Sequence, residues 1–169
     1  ERAARAGVLI KDRLALESMR NVDAVLFDKT GTLTQGEPTV TALEPVEGYS
    51  DNELLALAAA AESDSEHPLA RAIVSAAEEQ QLEVPRASDF SSSPAVGVRA
   101  TVDGTVIEVG GPYLLEERSA DELKVASTWR EEGVIILHVL ADGHVIGALR
   151  LADKIREASV SYTHLRAHA

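Results

Sequence analysis

The first thirty residues contain a segment in which apolar residues recur among charged ones, followed by a short run that is mostly apolar. In residues 8–20, "VLIKDRLALESMR", leucines and a methionine recur among charged residues, and this pattern predicts a short helix. Residues 22–27, "VDAVLF", form a compact apolar run. Its length and β-branched content favour a buried strand, with Asp28 directly after the strand's C-terminal end.

Two helices are predicted in the middle of the chain. The preceding segment, "GEPTVTALEPVEGYSD", mixes turn residues with short β-prone pieces, and Ser50 or Asp51 can cap the helix that follows. Residues 51–62, "DNELLALAAAAE", have high helix propensity. A second helix is predicted over residues 68–81, because Pro68 suits a first helical turn and apolar residues then recur at helical spacing.

From residue 95 onward the apolar period changes from that of a helix to that of a strand. "VGVRATVDGTVIEVG" alternates on both sides of Asp103-Gly104, and "GVIILHVLADGHVIGALRLAD" alternates around Asp142-Gly143. Asp-Gly between alternating segments is a strong signal of a two-residue hairpin. Two β-hairpins are therefore predicted.

A further helix is predicted between the hairpins, over residues 120–132, with Leu123 and Trp129 on one side. Helices that precede and separate antiparallel hairpins are typical of an α+β unit. Residues 36–150 are therefore predicted to fold as one α+β domain, with an antiparallel sheet flanked by helices. The opening strand differs, because a continuous apolar run is typical of a parallel sheet covered on both faces. The fold class is accordingly α/β followed by α+β.

Composition places the chain among ordinary globular proteins and excludes several classes of function. Apolar residues make up 45% and charged residues 26% of the 169 positions, which indicates neither disorder nor a fibrous repeat. A formal net charge of −12 without a basic patch argues against a nucleic-acid partner. The absence of cysteine excludes a disulfide framework and a thiolate metal site. No run reaches the roughly 18 apolar residues of a membrane-spanning helix, so this segment is not expected to contact the membrane directly.

Asp28 stands where ligands approach an open α/β sheet, outside the carboxyl end of a strand. An aspartate at such a place can simply cap a following helix. The residues after it suggest chemistry: Gly31 permits close approach of a phosphate, and threonine oxygens at alternating positions suit phosphate and Mg²⁺. A carboxylate can itself be a nucleophile that forms an aspartyl phosphate.

Residues 28–34, "DKTGTLT", match in full the phosphorylation motif of the P-type ATPases, and on this motif the chain resembles that family. The resemblance implies a haloacid-dehalogenase-like, Rossmann-like phosphorylation domain, with ATP and Mg²⁺ as cofactors. It implies that Asp28 is the phosphorylated residue and that Lys29 and Thr30 belong to the catalytic set. Asp28 and the carbonyl of Thr30 would be the metal ligands.

A simple phosphatase of the haloacid-dehalogenase-like superfamily is the alternative enzyme. Those phosphatases typically carry a second aspartate two residues after the nucleophile, as general acid and base, where this chain has Thr30. Without that base the acyl phosphate should hydrolyse slowly, which a pump needs if its intermediate is to outlive a conformational change. Thr30 therefore favours a transporter. A stand-alone adenine-nucleotide-binding module is a third, non-enzymatic hypothesis.

The sequence "ESDSEHPLARAIV" resembles the Ser-Glu-His-Pro signature of the heavy-metal-transporting (CPx) branch of the P-type ATPases. The resemblance implies that His67 and the upstream Glu62 contact the adenine end of ATP. A lone histidine before a helix is otherwise more often a cap or a surface residue. The nearby phosphorylation motif makes nucleotide binding the better hypothesis.

The same branch has a G-x-G loop that lines the nucleotide. In "SPAVGVRA" Gly97 matches the second glycine, while Ala95 replaces the first. We expect the added methyl group to narrow the pocket or weaken ATP binding, because glycine there permits close backbone approach or positive φ. Gly110, in "EVGGP", matches a further glycine turn of the family. Either glycine can instead be an ordinary turn residue.

The resemblance divides the chain into four parts. Residues 1–35 begin the phosphorylation domain, residues 36–150 form the nucleotide-binding domain, and residues 151–160 return to the phosphorylation domain. Residues 161–169 contain His164 and His168, but two histidines without a third ligand make a weak metal site. The segment looks like a translated cloning scar and is expected to be a non-native tail.

The resemblance also implies partners beyond this segment: the rest of the phosphorylation domain, the actuator domain and the transmembrane domain of a parent ATPase. The segment is then a cytoplasmic part of an integral protein of the bacterial inner membrane. ATP hydrolysis through an aspartyl phosphate would drive export of a heavy-metal ion such as copper or zinc. Because the chain lacks the family's catalytic lysine and aspartate pair, it is expected not to turn over ATP alone.

Overall fold

The computed structural model describes Leu14, residues 21–23 and residues 34–155 of the chain. Residues 34–155 form one layered α+β domain. Its helices are α1 (Asp51–Glu62), α2 (Pro68–Glu79), α3 (Pro112–Arg118) and α4 (Lys124–Glu131). Its strands are β1 (Thr34–Pro45), β2 (Ala87–Ser93), β3 (Gly97–Val102), β4 (Thr105–Gly110), β5 (Ile135–Ala141) and β6 (His144–Ile155).

The strands form a single antiparallel sheet in the order β1-β6-β5-β4-β3-β2. Strands β2 to β6 lie in the order of the sequence, as expected for hairpins and short helical connections. The first strand, β1, pairs instead with the last, β6, with Thr34 opposite Ile155 and Pro45 opposite Gly147. The chain therefore enters and leaves this domain on two adjacent strands.

The main core lies between the sheet and the helices α1 and α2. The alanines Ala58 to Ala61 are fully buried, and α1 contacts β1, β3 and β4. Leu54 packs over Gly147 of β6, where a Cβ atom would lie 2.5 Å from its Cδ2. Full burial of a leucine stabilises a fold by about 1.5–3 kcal/mol. These contacts show that α1 crosses the sheet from β6 to β3 and β4.

Side-chain caps determine where the two core helices begin. The Ser50 hydroxyl accepts a hydrogen bond from the Glu53 amide, and the Glu53 carboxylate accepts one from the Ser50 amide, which completes a capping box. At α2, Nδ1 of His67 accepts a hydrogen bond from the Leu69 amide, and Pro68 occupies the first turn. The cap fixes the position of His67 at the start of α2.

The helices α3 and α4 cover the opposite face of the sheet. Leu114 and Leu115 of α3 pack with Leu140 of β5 in a second, smaller cluster. Glu108 of β4 is 3% exposed, and Arg118 at the end of α3 binds it. Nε of Arg118 donates to both carboxylate oxygens, at 3.0 and 3.1 Å, and Nη2 donates to Oε1 at 2.5 Å. This bidentate pair fastens α3 to β4.

Both predicted hairpins are confirmed. Asp103 and Gly104 have φ of +48° and +83°, and Asp142 and Gly143 have φ of +46° and +80°. Positive φ at both central residues is the geometry of a type I′ turn, which matches the twist of paired strands. The Asp-Gly dipeptides therefore fix the registers of β3 with β4 and of β5 with β6.

The helix predicted over residues 51–62 is confirmed with those bounds. The helix predicted over residues 68–81 is also present, but it ends at Glu79. Gln81 has φ of +56°, a left-handed value that stops the helix.

The helix predicted over residues 120–132 is wrong at its start. α4 begins at Lys124, with Leu123 as its N-cap, because residues 120–123 connect it to α3. Trp129 is buried, as predicted. Helix α3 is not predicted from the sequence, although Pro112 in its first turn is a start signal.

The two edge strands, β1 and β2, are not predicted either. β1 contains Gly36, Pro38 and Pro45, which read as turn residues. Proline is tolerated there because one side of an edge strand makes no ladder hydrogen bonds. β2 carries a register irregularity, and Asp89 within it has φ of +54°. Both strands are defined by their partners more than by their own sequences.

The start of the chain is described at only a few positions. Leu14, in the helix predicted over residues 8–20, is helical. Val22 and Asp23, which begin the strand predicted over residues 22–27, lie outside any strand. The rest of that run lies outside the described residues.

A strained four-residue turn joins β2 to β3. The Val96 amide donates to the Ser93 carbonyl at 3.2 Å, with Pro94 and Ala95 at the central positions. Ala95 has φ of +66°, the value that a type II turn requires at its third position and that glycine adopts without strain. A left-handed backbone costs a residue with a side chain about 1–2 kcal/mol. Ala95 is exposed, so its cost is backbone strain and not crowding.

Arg118→Met should lower the free energy of unfolding by about 3 kcal/mol, because it leaves the Glu108 carboxylate buried without its partner. Urea titration of the chain measures this loss. The double variant Glu108→Met with Arg118→Met should recover most of it, since no charge is then buried. Arg86→Met, at an exposed arginine, is the control. A loss below about 0.5 kcal/mol in Arg118→Met would contradict the assigned role.

Ala95→Gly should raise the free energy of unfolding by about 0.5 kcal/mol, because relief of the left-handed strain exceeds the entropy that glycine adds to the unfolded chain. The matched control is Ala87→Gly at the start of β2, where φ is negative and glycine should destabilise. Thermal and urea unfolding of the two variants should therefore differ in sign. Equal losses in both would show that Ala95 is unstrained.

Candidate functional site

Glu62, the last residue of α1, combines burial with an unsatisfied carboxyl oxygen. The residue is 6% exposed, and no described residue gives a hydrogen bond to its Oε2 atom. Burial raises the pKa of Glu62 to about 7, while a hydrogen bond with the Ser65 side chain acts in the opposite direction. Buried polar atoms are normally paired. Oε2 of Glu62 is therefore a candidate ligand contact.

His67 presents a hydrogen-bond donor close to Glu62 in the chain. Its Nδ1 accepts from the Leu69 amide at 3.2 Å, so the proton of the neutral ring lies on Nε2. The residue is exposed, which leaves Nε2–H available to a ligand. Nδ1 of His67 therefore caps the helix, and Nε2 of the same ring is left for the predicted ligand contact.

Ser65 links these two residues. Its amide donates to the Glu62 carbonyl at 2.9 Å, and its hydroxyl accepts from the His67 amide at 3.4 Å. The C-terminus of α1 and the N-terminus of α2 are therefore joined by a tight, hydrogen-bonded turn. The structure brings Glu62 and His67 together through this turn.

The two predicted glycines lie directly opposite each other, at the first position of β3 and the last of β4. Gly97 has φ of +146°, and a Cβ atom there would clash with the Val109 carbonyl oxygen. A Cβ atom at Gly110 would clash with the Val96 carbonyl oxygen. Both positions thus require glycine, and the pair forms a strand end without side chains. The predictions for Gly97 and Gly110 converge on one place.

The turn between α1 and α2 and the glycine pair lie on elements in contact, because α1 packs against both β3 and β4. No described hydrogen bond or ion pair joins Glu62 or His67 to Gly97 or Gly110. The protein scaffold, and not a direct bond, therefore relates the two halves of the candidate site.

The predicted phosphorylation residues, Asp28, Lys29 and Thr30, lie outside the described residues. So do the predicted Mg²⁺ ligands, which are two of the same residues. Within the described ranges no three histidine, aspartate or glutamate side chains are grouped to hold a metal. The part of the chain that the structure describes thus carries the nucleotide half of the predicted site only.

An open groove of about 600 Å³ lies between the start of β1 and one face of α2. Its walls include Glu37, Arg71 and Glu79, and it contains none of the four predicted nucleotide residues. Because its charges are of both signs and exposed, the groove does not resemble a site built for one ligand. The buried carboxyl of Glu62 is the stronger pointer.

A second group of titratable side chains, formed by His138, Glu122 and Arg130, lies next to the glycine pair and is not apparent from the sequence. His138, which pairs with Gly110 across β4 and β5, is 1% exposed, and its Nε2 lies 3.6 Å from Oε1 of Glu122. Arg130 donates to the same Oε1 at 2.5 Å. Burial lowers the pKa of His138; Glu122 opposes this shift and Arg130 adds to it. His138 therefore lies in β5 beside the ion pair of Glu122 and Arg130.

Three comparisons with known proteins agree on the family. The family model of the haloacid dehalogenase-like hydrolases matches residues 22–163. The chain is 37% identical over 158 residues to the silver exporting P-type ATPase of Salmonella typhimurium, with 92% of the chain and 19% of that protein covered. It is 42% identical over 154 residues to the probable cobalt/nickel-exporting P-type ATPase of Mycolicibacterium smegmatis, with 91% and 23% covered. The chain spans about a fifth of the length of these relatives.

Solved structures show the same relationship. A zinc-transporting PIB-type ATPase in its E2.Pi state matches with a TM-score of 0.80 and 35% identity, over 98% of this chain and 27% of that one. The catalytic domain of the CPx-ATPase CopB-B, solved in a study of nucleotide binding, matches with a TM-score of 0.67 and 29% identity, over 93% and 53%.

Among the residues that the structure describes, no helix has the length and apolarity to cross a bilayer. The resemblance drawn from "DKTGTLT" and "SEHP" is confirmed by the relatives, and the predicted fold class by the family and the structures. The chain belongs to the haloacid dehalogenase-like hydrolases, and over nearly all of its length it is similar to the catalytic segment of heavy-metal P-type ATPases.

Proposed function

We propose that this chain is the ATP-binding unit and phosphorylation site of a heavy-metal-exporting P-type ATPase. The intact protein would couple ATP hydrolysis, through an aspartyl phosphate, to export of a metal ion. The observation that carries the nucleotide half of this proposal is the turn at Ser65, which sets the unpartnered Oε2 of Glu62 close in the chain to the free Nε2–H of His67.

The described residues suit recognition of the base more than chemistry. Glu62 offers an acceptor to an exocyclic amino group, and His67 offers a donor. Gly97 and Gly110 keep a strand end free of side chains, so a planar base or ribose can approach the backbone. ATP held by its adenine end would extend its phosphates away from these residues. Binding is therefore expected to be weak and not to need Mg²⁺.

Phosphoryl transfer falls to Asp28 in this proposal. A carboxylate oxygen of Asp28 forms a bond to the γ-phosphorus as the bond from that phosphorus to the β–γ bridging oxygen breaks, and ADP leaves. Water then releases inorganic phosphate. Asp28 and Thr30 would hold Mg²⁺, which when bound neutralises charge on the phosphates. Lys29 adds positive charge to the same motif.

Thr30 favours this function over a phosphatase, because the second aspartate that would speed hydrolysis of the acyl phosphate is replaced. We also propose the domain division that the resemblance implies, with residues 36–150 as the nucleotide domain and residues 1–35 and 151–160 as parts of the phosphorylation domain. The paired strands β1 and β6 extend slightly beyond these bounds, from Thr34 to Ile155. The remaining phosphorylation, actuator and transmembrane domains would be its partners, and the segment would lie on the cytoplasmic side of a bacterial inner membrane. The silver and the cobalt/nickel exporters share this segment, so the choice of metal would be made elsewhere in the protein.

His67→Ala should weaken ATP binding by about 1–3 kcal/mol, because the hydrogen bond from Nε2–H of His67 to the nucleotide is lost. Isothermal titration calorimetry of the 169-residue chain measures this change. His67→Asn is the matched control for helix capping, since asparagine retains the N-cap acceptor and lacks Nε2. We expect it to keep the stability of the wild type and to lose affinity as His67→Ala does. Wild-type affinity in His67→Asn would restrict His67 to capping.

Asp28→Asn should abolish phosphoenzyme formation in the intact ATPase and leave ATP binding to the 169-residue chain unchanged. The reason is that asparagine cannot act as the nucleophile, while the base is held by other residues. Acid-stable, hydroxylamine-labile incorporation of radiolabelled phosphate measures the first effect. The wild-type chain alone should incorporate none, and adding the rest of the phosphorylation domain should restore labelling. A phosphoenzyme in the isolated chain that vanishes in Asp28→Asn would contradict the division of labour proposed above.

A further inference from the structure

Glu62 is an unusual place for an acid, because burial disfavours its charged form and only the Ser65 side chain opposes this effect. It follows four buried alanines of α1, and no described residue pairs with its Oε2 atom. Its charged form is disfavoured by burial, which raises its pKa to about 7. At neutral pH the Glu62 carboxyl of the free protein is therefore a mixture of its protonated and ionised forms.

We propose that nucleotide binding is linked to the ionisation of Glu62: an amino-bearing base binds the carboxylate form, and the carboxyl releases its proton to solvent as the complex forms. This inference rests on the proposed function, since it assumes that the base of ATP lies against Glu62. It adds a property of the site that the function itself does not require. The affinity for ATP then depends on pH near neutrality.

The chemical reason is the match of donors and acceptors. An exocyclic amino group carries only donor hydrogens towards Oε2, and a carboxylate oxygen is the better acceptor because hydrogen bonds to a charged group are stronger. A hydrogen bond to the charged form lowers the pKa of a carboxyl. Binding therefore shifts Glu62 from its protonated to its ionised form. The O–H bond of the carboxyl breaks, and the buffer takes up the proton.

Other charges do not account for the state of Glu62. Titratable or charged side chains on the same turn and on the elements packed against α1 are Asp64, Glu66, His67, Arg71, Glu78, Glu79, Glu37, Glu44, Asp89, Arg99 and Glu108. None of them contributes to the raised pKa, which comes from burial and is opposed only by the Ser65 side chain. Glu108 is neutralised by Arg118 on the opposite face of the sheet. Ionisation of Glu62 is thus governed by solvent exclusion and by what the ligand brings.

The direction of the pH effect follows. With a pKa of about 7, nearly all of the Glu62 carboxyl of the free protein is ionised at pH 8 and about one tenth at pH 6. If only the carboxylate form accepts the amino group, ATP should bind about tenfold more weakly at pH 6 than at pH 8. Above pH 8 the affinity should level off.

The experiment is calorimetric titration of the 169-residue chain at pH 6, 7 and 8, in two buffers with different ionisation enthalpies. The probes are ATP and purine riboside 5′-triphosphate, which lacks only the exocyclic amino group. The two nucleotides share their phosphates, so the difference between them cancels the titration of the phosphates. Proton release at pH 7 and the tenfold loss of affinity at pH 6 are expected for ATP and not for the purine analogue.

Two variants complete the test. Glu62→Gln, which is nearly isosteric, should bind ATP with the same affinity at pH 6 and pH 8 and release no proton. Asp64→Asn, at an exposed aspartate of the same turn that lies outside the Ser-Glu-His-Pro signature, should behave as the wild type.

ATP binding in which both nucleotides show the same pH dependence would overturn the inference and leave the proposed function standing. Persistence of the ATP-specific proton release in Glu62→Gln would overturn it as well. Absence of any ATP binding by the folded wild-type chain would instead overturn the proposed function on which the inference rests.

Discussion

The pairing of β1 with β6 is the constraint on which the rest of the domain depends. These strands come from the two ends of the described segment and run antiparallel from Thr34 opposite Ile155 to Pro45 opposite Gly147. Their pairing places β6 inside the sheet, where Leu149 and Leu151 are fully buried and Leu54 of α1 packs. It also sets the chain's entry beside its exit.

The burial of Glu62 lowers the stability of the fold, which indicates that the residue serves the site and not the fold. In the unfolded chain its carboxyl ionises near pH 4.5, and in the fold near pH 7. As pH rises from about 4.5 to 7, the unfolded state loses its proton first, so the native state is progressively destabilised, by about 3 kcal/mol above pH 7. Glutamine, of similar shape, would avoid this penalty. A cost of this size at the end of an alanine-rich helix is characteristic of a functional position.

The sequence predicted the parts of the fold whose signals are local. Asp103-Gly104 and Asp142-Gly143 define their hairpins within a few residues, and Ser50, one of the two caps that the sequence suggests, starts α1. The strands β1 and β2 were not predicted, because pairing with a neighbouring strand, and not their own residues, determines that they are strands. β1 pairs with residues more than a hundred positions away in the sequence. At the site, Glu62 and His67 were found only through a family motif. No pattern in the sequence indicates that Glu62 is buried without a partner, because that depends on how α1 lies on β3 and β4.

The two faces of the sheet differ in the contacts that they make around Gly97 and Gly110. On the far face, Arg118 ties α3 to Glu108 of β4, and Arg130 ties α4 to Glu122 beside His138, which pairs with Gly110. These bonds fix the strand ends from behind. On the near face, the glycines carry no side chains and His67 is exposed. Phosphoryl transfer depends mainly on positioning and on electrostatic stabilisation. A strand end held by the Arg118–Glu108 and Arg130–Glu122 ion pairs, with Glu62 and His67 joined through Ser65 on the helices packed against it, suits the positioning role proposed above, in which this domain would hold the nucleotide and Asp28 would carry out the reaction.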